Sequence, residues 1–128
     1  MRKLILILLL IFTATLSSPS YAEWTMVREV RSGYVFLDLE RLREIEENVY
    51  FYLLIDYNVK TEQGYLSAET QYIGDCKLFL YKPLSTVHHK EPMGRGTTGV
   101  VSIRKNPEWK DPPPNSAIEL VLKALCAQ

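Results

Sequence analysis

Along most of this chain apolar and polar residues alternate, and the period changes only at the end. From Asn48 to Val59 the positions Val49, Phe51, Leu53, Ile55, Tyr57 and Val59 fall on one face of a strand, because successive strand side chains point to opposite sides. The other face carries Tyr50, Tyr52, Leu54, Asp56 and Asn58. The first face reads as core and the second as partly aromatic. Trp24 to Val30 alternates in the same way except at Val27, and Ser32-Gly33 reads as the turn into a returning strand at Tyr34 to Asp38. Glu40 to Glu47 fits a helical turn or a polar strand, and its pattern does not choose between them. Leu66 to Asp75 predicts a further strand, with Ala68, Thr70, Tyr72 and Gly74 on the side of Cys76. Lys77 to Tyr81 and Leu84 to His89 are strand-like around a bend at Pro83, and Val100 to Arg104 is a short last strand.

The final stretch has a helical period. Between Asn115 and Cys126, the residues Ile118, Val121, Leu122, Leu125 and Cys126 form one apolar stripe. Three prolines, Pro112 to Pro114, precede it and cannot continue a helix upstream. Ser116 as N-cap with Glu119 three residues on reads as a capping box, and Glu119 with Lys123 as an i,i+4 pair. Strands followed by one segregated helix predict an α+β domain: a single antiparallel sheet of about six strands with the C-terminal helix across one face. The two cysteines, Cys76 and Cys126, both face that sheet–helix layer, which predicts a disulfide pinning helix to sheet.

The N-terminus sets the compartment. Met1-Arg2-Lys3, an apolar run from Leu4 to Phe12 and the small-residue segment Ser17 to Ala22 make a tripartite leader. The run is shorter than the ~20 apolar residues of a membrane span. Cleavage is expected between Ala22 and Glu23, leaving a domain over residues 23–128 and no transmembrane segment in the mature chain. No cysteine sits at the cleavage site, so no lipid anchor is expected. An exported chain meets an oxidising compartment, where a disulfide persists. With 50 positions between the cysteines, the chain-entropy argument gives such a bond roughly 4 kcal/mol. The whole chain has 15 basic and 15 acidic side chains; without Arg2 and Lys3 the mature domain carries a formal charge of −2. No concentrated basic face points to nucleic acid.

Candidate chemistry is sparse. Gly94-Arg95-Gly96-Thr97-Thr98-Gly99 matches a glycine-rich nucleotide motif, but a β-branched run follows it where a helix should open. It reads as a flexible hairpin loop. His88 and His89 are adjacent on a strand and so point to opposite faces; they read as surface histidines without a common metal. No nucleophile signature appears, and no enzyme activity, metal or cofactor is expected. Tyr50 and Tyr52, opposite the core face, are the candidate partner surface, with burial under the chain's own loops as the alternative.

Several landmarks in order carry a resemblance. They are Trp24 near the cleavage site, Tyr34-Val35-Phe36-Leu37-Asp38 after a glycine turn, and Leu53-Leu54-Ile55-Asp56-Tyr57. Asp75-Cys76, Pro92-Met93-Gly94-Arg95-Gly96, Glu108-Trp109 before the prolines, and Ser116 ahead of Cys126 follow. Over nearly all the mature chain this resembles the bacterial surface-adhesin protein E-like family. The resemblance implies an antiparallel sheet with a disulfide-linked C-terminal helix on its concave face. It also implies a binding protein of the Gram-negative envelope, in the periplasm or on the cell surface. The family's adhesin binds host matrix and serum proteins and haem, and can form a homodimer. The expected function is an exported binding or interaction protein for host or envelope proteins. The alternative is a periplasmic carrier of a small hydrophobic ligand such as haem.

Overall fold

The computed structural model describes residues 23–127. The leader expected over residues 1–22, with Ala22 of its cleavage site, lies outside the described residues. Among these, seven strands form one antiparallel sheet: β1 (Trp24–Val30), β2 (Gly33–Asp38), β3 (Arg43–Ile45), β4 (Asn48–Tyr57), β5 (Ser67–Asp75), β6 (Leu80–His89) and β7 (Thr98–Ile103). Their order is β1-β2-β4-β5-β6-β7. The strand beyond the expected six is β3, within the undecided segment Glu40 to Glu47. It pairs with β4 at Asn48 to Tyr50, while β2 pairs with β4 at Leu53 to Tyr57. The two therefore share one track along β4, and residues 39–42 are a jog between them.

The residue that broke the alternation in β1, Val27, marks a bulge: the register with β2 shifts between Met26 and Arg28. A bulge adds one residue and turns its side chain, and Val27 packs on the core. Pro83 lies inside β6 rather than between two strands, and there the register with β5 shifts so that Tyr72 faces Pro83 and Gln71 faces Ser85. The irregularity accommodates a residue with no N–H to donate. Lys77 to Phe79, expected as strand, form a turn with Cys76, and Val59 lies beyond the end of β4, largely exposed.

Helix α1 (Ala117–Cys126) buries Ile118, Val121, Leu122 and Leu125. They meet Val35, Leu37, Val49, Phe51 and Leu53 on the sheet. The helix lies close because Gly74 has no side chain: a Cβ there would stand 2.4 Å from Leu122 Cδ2. The N-cap is as expected, with Ser116 Oγ accepting from the Glu119 N–H at 3.2 Å. The reciprocal half differs: the Glu119 carboxylate accepts from the N–H of Asn115 rather than of Ser116. That hydrogen bond, aided by Lys123, holds the Glu119 carboxyl below the usual range. At the far end Cys76 and Cys126 are disulfide-bonded, with their Cα atoms 5.3 Å apart. Cys76 sits one residue past β5, in the turn, just after the expected strand end at Asp75.

The opposite face of the sheet is partly covered too. Leu54 points away from the helix yet is 0% exposed. The segment after β6, with a 3₁₀ turn at Pro92–Gly94, folds back over it. Met93 N–H donates to Asp56 Oδ1 at 2.8 Å, Gly94 N–H to Ser67 Oγ at 2.9 Å, and Ser67 Oγ to the Glu91 carbonyl at 2.7 Å. The glycine-rich loop is therefore pinned to the sheet rather than free. Gly94 and Gly96 adopt φ of 70° and 80°, where glycine carries no Cβ penalty.

Candidate functional site

The jog between β2 and β3 builds a site on the face away from the helix. Asp38, at the end of β2, is 1% exposed. Its Oδ1 accepts from the Glu40 N–H at 2.9 Å and its Oδ2 from Arg41 Nε at 2.5 Å. Arg41 Nη2 donates to Glu69 Oε1 on β5, so the side chain spans β4. A buried carboxylate without a partner would be costly. Burial pulls the Arg41 pKa down, but the hydrogen bonds and charges of Asp38 and Glu69 outweigh it and raise the pKa overall. The guanidinium is a permanently charged clamp, its Cζ 3.9 Å from the centroid of the Tyr52 ring and 5.6 Å from that of Trp24.

Beside the clamp lies a cleft. Strand pairing sets Arg43 opposite Tyr50 on β3–β4, and Gln71 opposite Tyr52 on β4–β5. Directly opposed residues share a face, so these four side chains converge. With Arg41 and Ile45 they line a cleft of about 320 Å³. Tyr50 and Tyr52 are half-buried in it, whereas Arg43 and Ile45 are exposed. Among the described residues, the side chains of Arg43, Gln71 and the two tyrosine hydroxyls have no hydrogen-bond or ion-pair partner. A rigid aromatic floor with unengaged polar groups around it is suited to binding.

The sequence-predicted positions are brought together only in part. Tyr50 and Tyr52 share the cleft; Cys76 and Cys126 pin the helix on the other side. His88 and His89 do point to opposite faces. His88 stacks on Tyr65 with ring centroids 5.1 Å apart. His89 is 7% exposed, its Nε2 3.6 Å from Glu69 Oε2, so the expectation of surface histidines is corrected. The loop of residues 90–97 covers it: the Gly94 N–H ties the 3₁₀ turn to Ser67 Oγ, and a Cβ at Gly94 would stand 4.0 Å from His89 Nε2. Among the described residues no His, Cys, Asp and Glu group is placed to hold a metal. Between sheet and helix a crevice of about 270 Å³ opens beside Ala68, Tyr72 and Ala117. Sequence reasoning missed Asp38, Arg41, Arg43, Glu69 and Gln71. The charge-rich, undecided segment was the one signal of the arginines, and alternation alone cannot show that a jog turns Arg41 across the sheet.

Comparison with curated proteins by sequence finds no match. Comparison with solved structures finds protein E of Haemophilus influenzae. Its selenomethionine form is similar with a TM-score of 0.64 at 15% identity, covering 88% of this chain and 93% of that one. The crystal structure of protein E from non-typeable Haemophilus influenzae gives 0.62 at 16% identity, over 85% and 80%. A further structure of Haemophilus influenzae protein E gives 0.60 at 16% identity, over 87% and 90%. At such identities the likeness shows a shared fold. The sequence itself matches the family described as surface-adhesin protein E over residues 24–127, and this chain belongs to that family.

Proposed function

We propose that this protein is an envelope adhesin that binds host matrix or serum proteins, with the Tyr50/Tyr52 cleft as its contact surface. The observation that carries the assignment of the surface is the clamp: Arg41, fixed by Asp38 and Glu69, holds the Tyr52 ring in place before any partner arrives. Such preorganisation lowers the entropy lost on binding, and Tyr and Arg dominate binding hot spots. Family membership supports binding rather than catalysis. The leader supports export into a Gram-negative envelope, and among the described residues no helix is long and apolar enough to cross a membrane. The carrier reading has less support. Its crevice of about 270 Å³ falls below the ~300–1,000 Å³ of typical ligand pockets.

The test is the double variant Tyr50→Ser with Tyr52→Ser, measured for binding to immobilised host matrix and serum proteins. Both rings are half-buried, so Tm falls by a few degrees while binding is lost. Unchanged binding, or loss of cooperative unfolding, overturns the assignment. Sedimentation of the wild type and the variant, side by side, reports whether the same surface forms a homodimer. Export is checked by intact mass: the mature chain begins at Glu23 without lipid, and a retained Met1 or a diacylated species contradicts it.

A further inference from the structure

The unengaged groups of the cleft define a ligand chemistry. Arg43 is a free guanidinium among the described residues, while Arg41 is already neutralised by Asp38 and Glu69. A planar cation with no internal partner matches a carboxylate in two-pronged geometry. Tyr50 and Tyr52 stand two positions apart on one strand, roughly 7 Å along it, which makes a platform about as wide as one six-membered ring. Gln71 offers an amide donor and acceptor beside them. Among the described residues the one aliphatic wall of the cleft is Ile45, so a purely apolar ligand gains little. Glu40, Glu46 and Glu47 are exposed on the two turns that bound β3, and they disfavour a polyanion by like-charge repulsion.

We propose that this cleft binds a sugar acid: a saccharide ring bearing a single carboxylate, its face on the tyrosines and its carboxylate on Arg43. The proposal rests on the reading of this face as the ligand surface and narrows it to a chemical class. A cleft of about 320 Å³ lies at the lower end of the ~300–1,000 Å³ range of ligand sites, the scale of a terminal sugar rather than a long chain.

The experiment is an NMR titration of the mature wild-type protein with glucuronate and with N-acetylneuraminate, with glucose and heparin as controls. The expected result is saturable shifts confined to β3, β4 and the neighbourhood of Gln71, from the sugar acids alone. Arg43→Gln weakens them at least about tenfold, the loss expected for a charge-assisted hydrogen bond. The variant's remaining amide spectrum stays that of the wild type, and Lys60→Gln, at an exposed position after β4, changes nothing. No saturable shift, an equal response to glucose, tighter binding of heparin, or indifference to Arg43→Gln overturns the proposal. If the Tyr50/Tyr52 double variant loses host-protein binding while no sugar acid binds, the adhesin surface stands and this proposal falls. If sugar acids bind and host-protein binding ignores the double variant, the adhesin surface falls and the sugar site stands. With both intact, sialidase treatment of the host glycoproteins separates a glycan-terminal sugar, whose removal lowers binding, from a free one.

Discussion

Replacing Gly74 by alanine tests how closely the helix is set on the sheet. Gly74 lies opposite Val49 on the helix face. An added Cβ would stand 2.4 Å from Leu122 Cδ2 and 3.2 Å from Val49 Cγ1. Carbon atoms prefer ~3.5–4.0 Å, so Leu122 must retreat by about an ångström. It has little room, because Leu122 and Phe51 are 0% exposed and Val49 2%. The disulfide at the helix C-terminus also limits how far the helix can lift. Overpacking of this kind costs ~1–3 kcal/mol, against which alanine regains ~0.5–1 kcal/mol of chain entropy at a strand position. The net loss is centred near ~1 kcal/mol within a span of about 0–2.5 kcal/mol, and the central value is a fall in Tm of roughly 4–8 °C for a domain this small.

The assay is urea unfolding of the oxidised mature chain followed by circular dichroism, on a double-mutant cycle. Leu122→Ala alone removes a fully buried side chain and costs ~2–5 kcal/mol. In the double variant the new methyl enters the vacated space, so the clash disappears and part of the cavity is filled. The pair is therefore no less stable than Leu122→Ala, with a coupling of at least about 1 kcal/mol. Losses that add within ~0.5 kcal/mol would refute the contact.

Two further outcomes follow from the helix ends. Cys76→Ser or Cys126→Ser each lowers stability by about 2–5 kcal/mol, the double variant is no worse than the worse single, and hydrogen exchange shows helix amides losing protection before sheet amides; two alkylatable thiols in the native protein would contradict it. The Glu119 carboxyl, held low by the Asn115 N–H, titrates by NMR below an ordinary glutamate. Its folded pKa lies below the unfolded one, so its contribution is full above the unfolded pKa and is lost as pH falls through the folded pKa. Glu119→Gln removes that part of the acid limb, and a midpoint at or above the ordinary value refutes the cap.

What the sequence determined is what a period can encode. The odd positions of β4, the stripe of α1 and the broken alternation at Val27 each follow from burial of one face, and burial is local enough to leave a pattern in the chain. The helix start was legible because capping by Ser116 is a near-neighbour hydrogen bond. The cysteine pairing was legible because both lie on faces that must meet. Tertiary structure alone decided the rest. Arg41 finds its partners at Asp38 and Glu69, three and 28 positions away, and a charge-rich segment gives no sign of which strand it will cross. His89 is buried by a loop that folds back onto the strand preceding it, and Leu54 by the same loop on the face opposite the helix. The cleft exists because register sets Arg43 against Tyr50 and Tyr52 against Gln71. Register is a property of the whole sheet, set by pairing over distance rather than by any one stretch.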